Sequence, residues 1–202
     1  MVIKMLNLNT TNEVLSQILM AVQTKIQARL KPQYFTRKRA MPFFTLLEFM
    51  LINYKESTQT ALEKFFKFKG KGDIHITQQA FSEARNKFDH SPFEKSFRGI
   101  CAVDYANENA VPKFMGYKIF AIDGTTISLP NTPQLLEYFG GSGANADSPS
   151  ARASIMYDVI NDRIVDATIA KYSVSEHELA KNHINRLLNV CRTDDVLAVF
   201  DR

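Results

Sequence analysis

Cysteines and long apolar runs are scarce in this sequence, and each scarcity excludes a class of protein. Among the 202 residues there are two cysteines, Cys101 and Cys191, which have no partner at metal-ligand spacing and form no disulfide framework. No apolar stretch approaches the roughly 20 residues that a membrane-spanning helix needs. Residues 1–31 lack the compact apolar run and the cleavage site of a signal peptide. We therefore expect a reduced, cytoplasmic protein with no membrane partner.

Charge is distributed unevenly along a chain of otherwise ordinary composition. Residues 1–100 contain 16 lysines and arginines against 8 aspartates and glutamates, a net charge of +8, whereas residues 101–202 contain 9 against 13, a net charge of −4. A basic front half can contact phosphates, and an acidic back half can hold metal ions. Many proteins divide their charge in this way without any catalytic reason, so the asymmetry alone does not assign a function.

The front half shows the apolar periodicity and the capping residues of successive helices. Thr10, Thr11 and Asn12 can cap a first helix that reaches Ile26, and Met41-Pro42 is a typical helix start. Further helices are expected at 58–66, 77–88 and around 93–103. We predict that residues 1–112 form a helical, basic region, whose cationic face could lie along DNA or could simply be a solvated face of packing helices.

The period changes near Gly116, where short runs of strand-forming residues begin. Strands are expected at 118–123, 154–160, 163–170 and 196–200, with a turn at Asn161-Asp162 and a flexible, glycine-rich loop at 140–150. Ser175 and Glu178 have the spacing of a capping box, which predicts a helix over 175–190. The uninterrupted apolar run Val196–Phe200 predicts a central strand that is covered on both faces.

Two aspartates stand at the ends of the first and the last of these strands. Asp123 and Asp201 are 78 residues apart (201 − 123). Clustered carboxylates at the carboxyl ends of neighbouring strands can hold Mg²⁺, and a pair of such ions can assist attack on a phosphodiester. The alternative, that both aspartates only cap strand ends or turns, remains open at this point.

Several motifs in the back half resemble those of DDE transposases of the bacterial insertion-sequence-four group. The resemblance rests on Ala121-Ile122-Asp123-Gly124-Thr125-Thr126, Leu129-Pro130 and Phe200-Asp201-Arg202. The intervening segments 138–140, 151–154, 157–159 and 176–183 are similar to the pattern that links those motifs in the family. The similarity covers roughly residues 75–202 and is most specific over 117–202.

The resemblance implies an α/β fold in which a helical region precedes a truncated ribonuclease-H-like mixed sheet over 113–202. It implies that the strands before Asp123 and Asp201 lie side by side and parallel, and that both aspartates are catalytic ligands of Mg²⁺ or Mn²⁺. The third acid of the family is a glutamate in a Tyr-Arg-Glu-Lys-type motif, and no residue of this sequence matches it. The 202-residue chain is therefore expected to lack activity.

As for partners, the resemblance implies double-stranded DNA at the terminal inverted repeats of a mobile element, and it allows a homodimer. The candidate DNA contacts are Arg37, Lys38, Arg39, Arg85, Lys87, Arg152 and Arg202. Two other interpretations stay open. One is a truncated, non-catalytic protein that binds DNA or a transposase, and the other is a metal-dependent nuclease unrelated to transposition.

His177-Glu178 and His183 could suggest a zinc site. A zinc-protease helix needs histidines four residues apart, so that both face one ion, and six residues apart does not bring them together. We expect these three residues to be polar positions on a helix.

Overall fold

The computed structural model describes residues 13, 15–18, 20–37, 39–52, 55–106, 111–192 and 194–200. The chain forms two compact units. The boundary between them lies between Ile100 and Cys101, inside a single helix. The boundary expected from the sequence lies further along, after residue 112. Within the described ranges, no helix is both long and apolar enough to cross a membrane.

The first unit, residues 7–100, is helical. Its helices are α1 (Val22–Ala28), α2 (Phe43–Leu51), α3 (Thr58–Phe68), α4 (Gln78–Arg85) and the first part of α5 (Ser91–Ala106). The Ser57 and Thr77 side chains accept hydrogen bonds from the backbone N–H groups of Thr60 and Ala80, so they cap α3 and α4. The predicted cap at residues 10–12 lies outside the described residues.

Phenylalanine rings fill the core of the helical unit. Phe49 packs edge-to-face on Phe81 at 5.0 Å and on Phe65 at 5.4 Å between ring centroids. Leu46, Leu47 and Leu62 are fully buried among these rings. Because an aromatic side chain buries about 150–250 Å², a short helical unit obtains a substantial apolar core from few residues.

The second unit contains a mixed sheet, which confirms the predicted α/β class. Its elements are β1 (Lys118–Ser128), α6 (Pro133–Phe139), β2 (Gly141–Ser142), β3 (Ser148–Asp158), β4 (Arg163–Lys171), α7 (Glu176–Leu187) and β5 (Val196–Phe200). β1 lies between β3, to which it is antiparallel, and β5, to which it is parallel. β2 and β4 both pair with β3. The side-by-side, parallel arrangement of β1 and β5 was expected from the sequence and is confirmed.

The hairpin between β3 and β4 is also confirmed, although its turn begins earlier than expected. β3 ends at Asp158, whose buried Oδ1 accepts the backbone N–H groups of Ile160 and Asn161, each at 3.0 Å. The Asp158 side chain also accepts a hydrogen bond from the Tyr105 hydroxyl. Asp162 completes the turn in the left-handed region at φ 53°.

The segment between β1 and β3 is more ordered than the predicted loop. β1 continues past Asp123 to Ser128, and α6 then begins at Pro133 with Thr132 as its cap. Gly141 belongs to the short strand β2, where a Cβ atom would lie 2.1 Å from the Ala146 carbonyl oxygen. Only glycine fits at this position, because any side chain would clash with backbone.

The prediction that β5 is covered on both faces is wrong for the described residues. β5 is the last strand in the order β2-β3-β1-β5, and Leu197, Val199 and Phe200 are about half exposed. An uninterrupted apolar run indicates that both faces of a strand are suited to burial. It does not show which elements pack on those faces.

A buried lysine fixes the start of the β1–β5 pair. The Lys118 side chain is fully buried, and its Nζ donates to the Arg192 carbonyl at 2.7 Å and lies 3.0 Å from Asp195 Oδ1. The Lys118 backbone N–H donates to the Asp195 carbonyl at 2.8 Å. Hydrogen bonds from Lys113 and Lys118 lower the pKa of Asp195 to about 2.

We expect Asp195→Asn to lower the thermal midpoint at pH 7 and to have less effect in acid. Because the folded-state pKa is depressed, the ion pairs stabilise the protein above the unfolded pKa of about 3.9. That stabilisation is lost as pH falls towards about 2. The measurement is thermal unfolding of both proteins from pH 7 down to the lowest pH at which they fold. Asp194→Asn is the control, because the Asp194 side chain is 78% exposed. A difference between wild type and Asp195→Asn that is constant over this range would contradict the assignment.

Candidate functional site

Asp123 lies in β1 immediately after the last residue for which a β5 partner is described. That last pair is Ile122 with Phe200. The Asp123 side chain is exposed, and its Oδ1 accepts the backbone N–H of Gly124 at 2.7 Å. Side chains alternate along a strand, so Asp123 lies on the face opposite to the buried Phe120 and Ile122. The carboxylate is thus accessible to solvent and to any ion or ligand there.

Three of the predicted site residues, Asp201, Arg202 and Lys38, lie outside the described residues. The described part of β5 ends at Phe200, and Asp201 follows it in the sequence. Over the described ranges, no group of three histidine, cysteine, aspartate or glutamate side chains is arranged to hold a metal ion.

A chain of buried hydrogen bonds leads to the backbone of Asp123. The Ser154 hydroxyl lies 3.0 Å from the Asp123 carbonyl oxygen, and His183 Nε2 lies 3.0 Å from Ser154 Oγ. On the other side of the ring, His183 Nδ1 lies 2.7 Å from Asp166 Oδ2. All three side chains are buried, and His183 is fully so. The network therefore connects α7 and β4 through β3 to the position of Asp123.

The donors in this network can be assigned from the chemistry of its ends. A carbonyl oxygen only accepts, so a Ser154 hydroxyl that donates to Asp123 leaves its oxygen to accept from His183 Nε2–H. The other ring nitrogen, Nδ1, lies 2.7 Å from Asp166 Oδ2 and 3.3 Å from Arg186 Nη2.

Asp166 is ionised in this arrangement, although it is buried. Burial raises the pKa of Asp166, but hydrogen bonds from His183 and Arg186 outweigh this effect and hold the pKa below its ordinary value. Arg186 Nε donates to the same carboxylate oxygen that His183 contacts. A buried carboxylate that accepts two charge-assisted hydrogen bonds is a rigid anchor for the histidine.

Both histidines lie on α7, as expected, but His183 is buried whereas His177 is exposed. The buried face of α7 contains Leu179, His183 and Leu187, which are spaced four residues apart. This spacing places His183 in the apolar stripe and is the signal that could have identified it. Sequence reasoning assigned no role to Ser154, although it lies in the family-like segment 151–154, and none to Asp166, which belongs to no short motif.

Arg152, a predicted DNA contact, is engaged within its own unit. Its Nη1 lies 2.7 Å from Glu176 Oε1, and its guanidinium lies over the Tyr172 ring at 5.4 Å. Glu176 also lies against Gly124, where an added Cβ would come within 3.3 Å of the glutamate Cγ. Gly124 is on the opposite face of β1 from Asp123. Glu176 and Arg152 therefore do not lie on the Asp123 side of the sheet.

The structure divides the predicted basic contacts of the helical unit into two places. Arg37, Arg39 and Lys87 line one cavity of about 500 Å³. Arg85 lines a separate hollow, and its guanidinium lies over the Phe81 ring at 5.9 Å.

Comparison with known proteins gives a distant relationship to a transposase. The chain is 24% identical over 131 residues to a protein of Escherichia coli (strain K12) described as "Putative transposase InsZ". The aligned region is 63% of this chain and 42% of the relative, so the chain spans less than half the length of that relative. No protein-family model and no solved structure matches the chain.

We expect Ser154→Ala to destabilise the protein by about 1–2 kcal/mol and His183→Ala by about 3 kcal/mol, because both leave buried polar partners unsatisfied. His177→Ala, an exposed position on the same helix, should change stability by no more than about 0.5 kcal/mol. Urea unfolding of the four proteins measures these differences. If His183→Ala behaved like His177→Ala, the network would not stabilise the fold.

Proposed function

We propose that this chain is part of a DDE transposase with a ribonuclease-H-like catalytic domain, in which Asp123 and Asp201 are metal ligands. The observation that carries the proposal is the parallel register of β1 and β5. Its last described pair, Ile122 with Phe200, immediately precedes the two aspartates in the sequence. The distant similarity to a protein described as a transposase supports the same class.

The register supports a shared site on geometric grounds. Neighbouring strands lie about 4.8 Å apart, and each aspartate directly follows a member of the last pair. Two carboxylates so close together would repel each other, and a bound divalent cation removes that conflict. Carboxylate oxygens suit Mg²⁺ and Mn²⁺. Asp123 fits this role because it is exposed and has only one oxygen hydrogen-bonded to Gly124.

When bound, the metal ions would stabilise the attacking and leaving oxygens of a DNA phosphodiester. The contribution of the protein is to hold the ligands in place. The Gly124 N–H fixes one oxygen of Asp123, while Ser154 fixes the carbonyl of the same residue. Because both contacts involve residues of the sheet, the carboxylate is oriented before any ion arrives.

The third catalytic acid remains unassigned in this chain. Glu176 is the acidic side chain beside the Asp-Gly-Thr motif, but it lies on the far face of β1 and is paired with Arg152. We therefore propose that the 202-residue chain binds metal weakly and does not cleave DNA. Strand transfer at terminal inverted repeats would belong to the complete protein.

The substrate in this proposal is double-stranded DNA, which the helical unit would contact through its phosphates. The charge of +8 over residues 1–100 favours such binding. Contacts of this kind position a protein on DNA and make its affinity salt-dependent, but they select sequence only weakly. A homodimer that brings two element ends together would fit this function.

Calorimetric titration with Mn²⁺ or Mg²⁺ tests the proposed ligands directly. We expect both Asp123→Ala and Asp201→Ala to weaken binding by about tenfold or more, because each removes one of two shared carboxylates. Glu137→Ala is the matched control, since it removes an exposed acid of the same unit outside the site. Circular dichroism would verify that every variant is folded.

If the folded wild-type chain binds no metal, or if both aspartate variants bind as tightly as the control, the metal site proposed here is wrong. A protein that binds DNA without cutting it would then be the better description of this chain.

A further inference from the structure

The cavity in the helical unit has the size of a small-molecule site. Its volume is about 500 Å³, within the range of about 300–1,000 Å³ that is common for ligand pockets. The segment between α1 and α2 forms one wall, and α4 with the residue Lys87 beyond it forms the other. The cavity lies entirely within residues 33–87, so it belongs to a single unit.

The floor of the cavity is apolar, and its wall carries two aromatic side chains. Met41, Ile76 and Ala84 are buried lining residues, while Tyr34 and Phe35 are half-buried at the wall. A flat, apolar ligand could therefore be desolvated against the apolar floor and contact an aromatic ring at the wall.

The backbone of Phe35, in the wall of the cavity, has an energetically unfavourable conformation. Phe35 has a positive φ of 57°, which is rare for a bulky residue. Its ring packs edge-to-face on Phe43 at 5.3 Å and on Phe88 at 6.2 Å. Backbone strain of this kind persists only where packing enforces it, and it concentrates at ligand-binding positions. Because Phe35 is anchored in the core, the neighbouring Tyr34 is kept beside the cavity.

The rim of the cavity is cationic. Arg37 and Arg39 are exposed, Lys87 is half-buried, and Glu83 is the one acidic lining residue. Among the described residues, no carboxylate forms an ion pair with Arg37, Arg39 or Lys87. Three cations around one opening repel each other, and an anionic ligand would relieve that repulsion.

We propose that this cavity binds one nucleotide, with the base on the apolar floor beside Tyr34 and the phosphate at Arg37, Arg39 and Lys87. A free inorganic anion would not contact the apolar floor. An uncharged apolar ligand would form no ion pair with the three cations. A nucleotide satisfies both at once, because it joins an aromatic base to a phosphate. The same chemistry is offered by a free nucleotide and by an unstacked base of a DNA strand.

The possibility that the bound base belongs to a DNA strand rests on the proposed function, since a transposase has DNA as its substrate. The binding itself needs neither metal nor Asp123, and this separates the two proposals experimentally. The site also differs from general phosphate contact along the helical unit, because it requires a base to leave its stack and enter a cavity.

The test is fluorescence anisotropy of a short, labelled single-stranded DNA titrated with the full 202-residue chain in EDTA. Ala80→Trp places a large ring in the cavity from an exposed position of α4 without changing charge. We expect it to weaken binding by about tenfold or more, as we do for Tyr34→Ala, since base stacking is lost in both. Lys71→Ala is the control for charge, because Lys71 is exposed in the same unit but does not line the cavity. It should change affinity by less than about threefold.

Competition with the mononucleotide dAMP identifies the source of the ligand. Displacement of the labelled strand by dAMP indicates that a free nucleotide suffices, whereas binding of the strand without such competition indicates a base within DNA. Asp123→Ala should bind the strand as tightly as wild type, whatever the metal titrations show. If Ala80→Trp folds and binds as tightly as wild type, or if the folded wild-type chain binds neither probe, the cavity is not a nucleotide site.

Discussion

Lys118 is a charged side chain with no exposed surface, and the pairing of β1 with β5 depends on how that charge is compensated. Its ammonium group is hydrogen-bonded to the Arg192 carbonyl and paired with Asp195, both of which precede β5. An unpaired buried charge would be prohibitively unfavourable. The chain can therefore bury Lys118 only when the segment before β5 lies beside the start of β1. That arrangement fixes the register, and the register brings the ends of the two strands to one edge.

A second buried polar cluster forms a hydrogen bond to β1 further along the strand. Ser154, His183 and Asp166 are all enclosed, and their hydrogen bonds end on the carbonyl of Asp123. Apolar side chains of similar volume would make an equally compact core, and replacing buried polar groups in this way is often neutral or stabilising. The cluster is therefore better explained by specificity of geometry than by stability alone. One strand is held at its start by Lys118 and near Asp123 by Ser154.

The parts of this structure that follow from the sequence are those that depend on neighbours along the chain. Ser175 caps α7, and the residues around Asn161-Asp162 turn β3 into β4, because caps and turns are decided within a few positions. The exposure of Leu197 in β5 was not predictable in this way, since an apolar run does not show which elements pack against the strand. The burial of His183 was not predictable for a related reason, because a histidine in an apolar stripe is stable only with partners that lie far away in sequence. One of those partners is Asp166, on β4.

Net charge alone also gives too coarse a description of the back half. Its acidic character suggested a metal site, yet five of the eleven acids that the structure describes there are already paired with cations. The pairs of the described residues are Asp104 with Arg163, Asp166 with Arg186, Glu176 with Arg152, Asp194 with Arg192, and Asp195 with Lys113 and Lys118. Among the described residues, no cation pairs with Asp123, and its carboxylate accepts the backbone N–H of Gly124. Other exposed acids there, such as Glu137 and Asp147, also form no described ion pair. What distinguishes Asp123 is its place directly after the last described β1–β5 pair, together with the Gly124 N–H that orients its carboxylate.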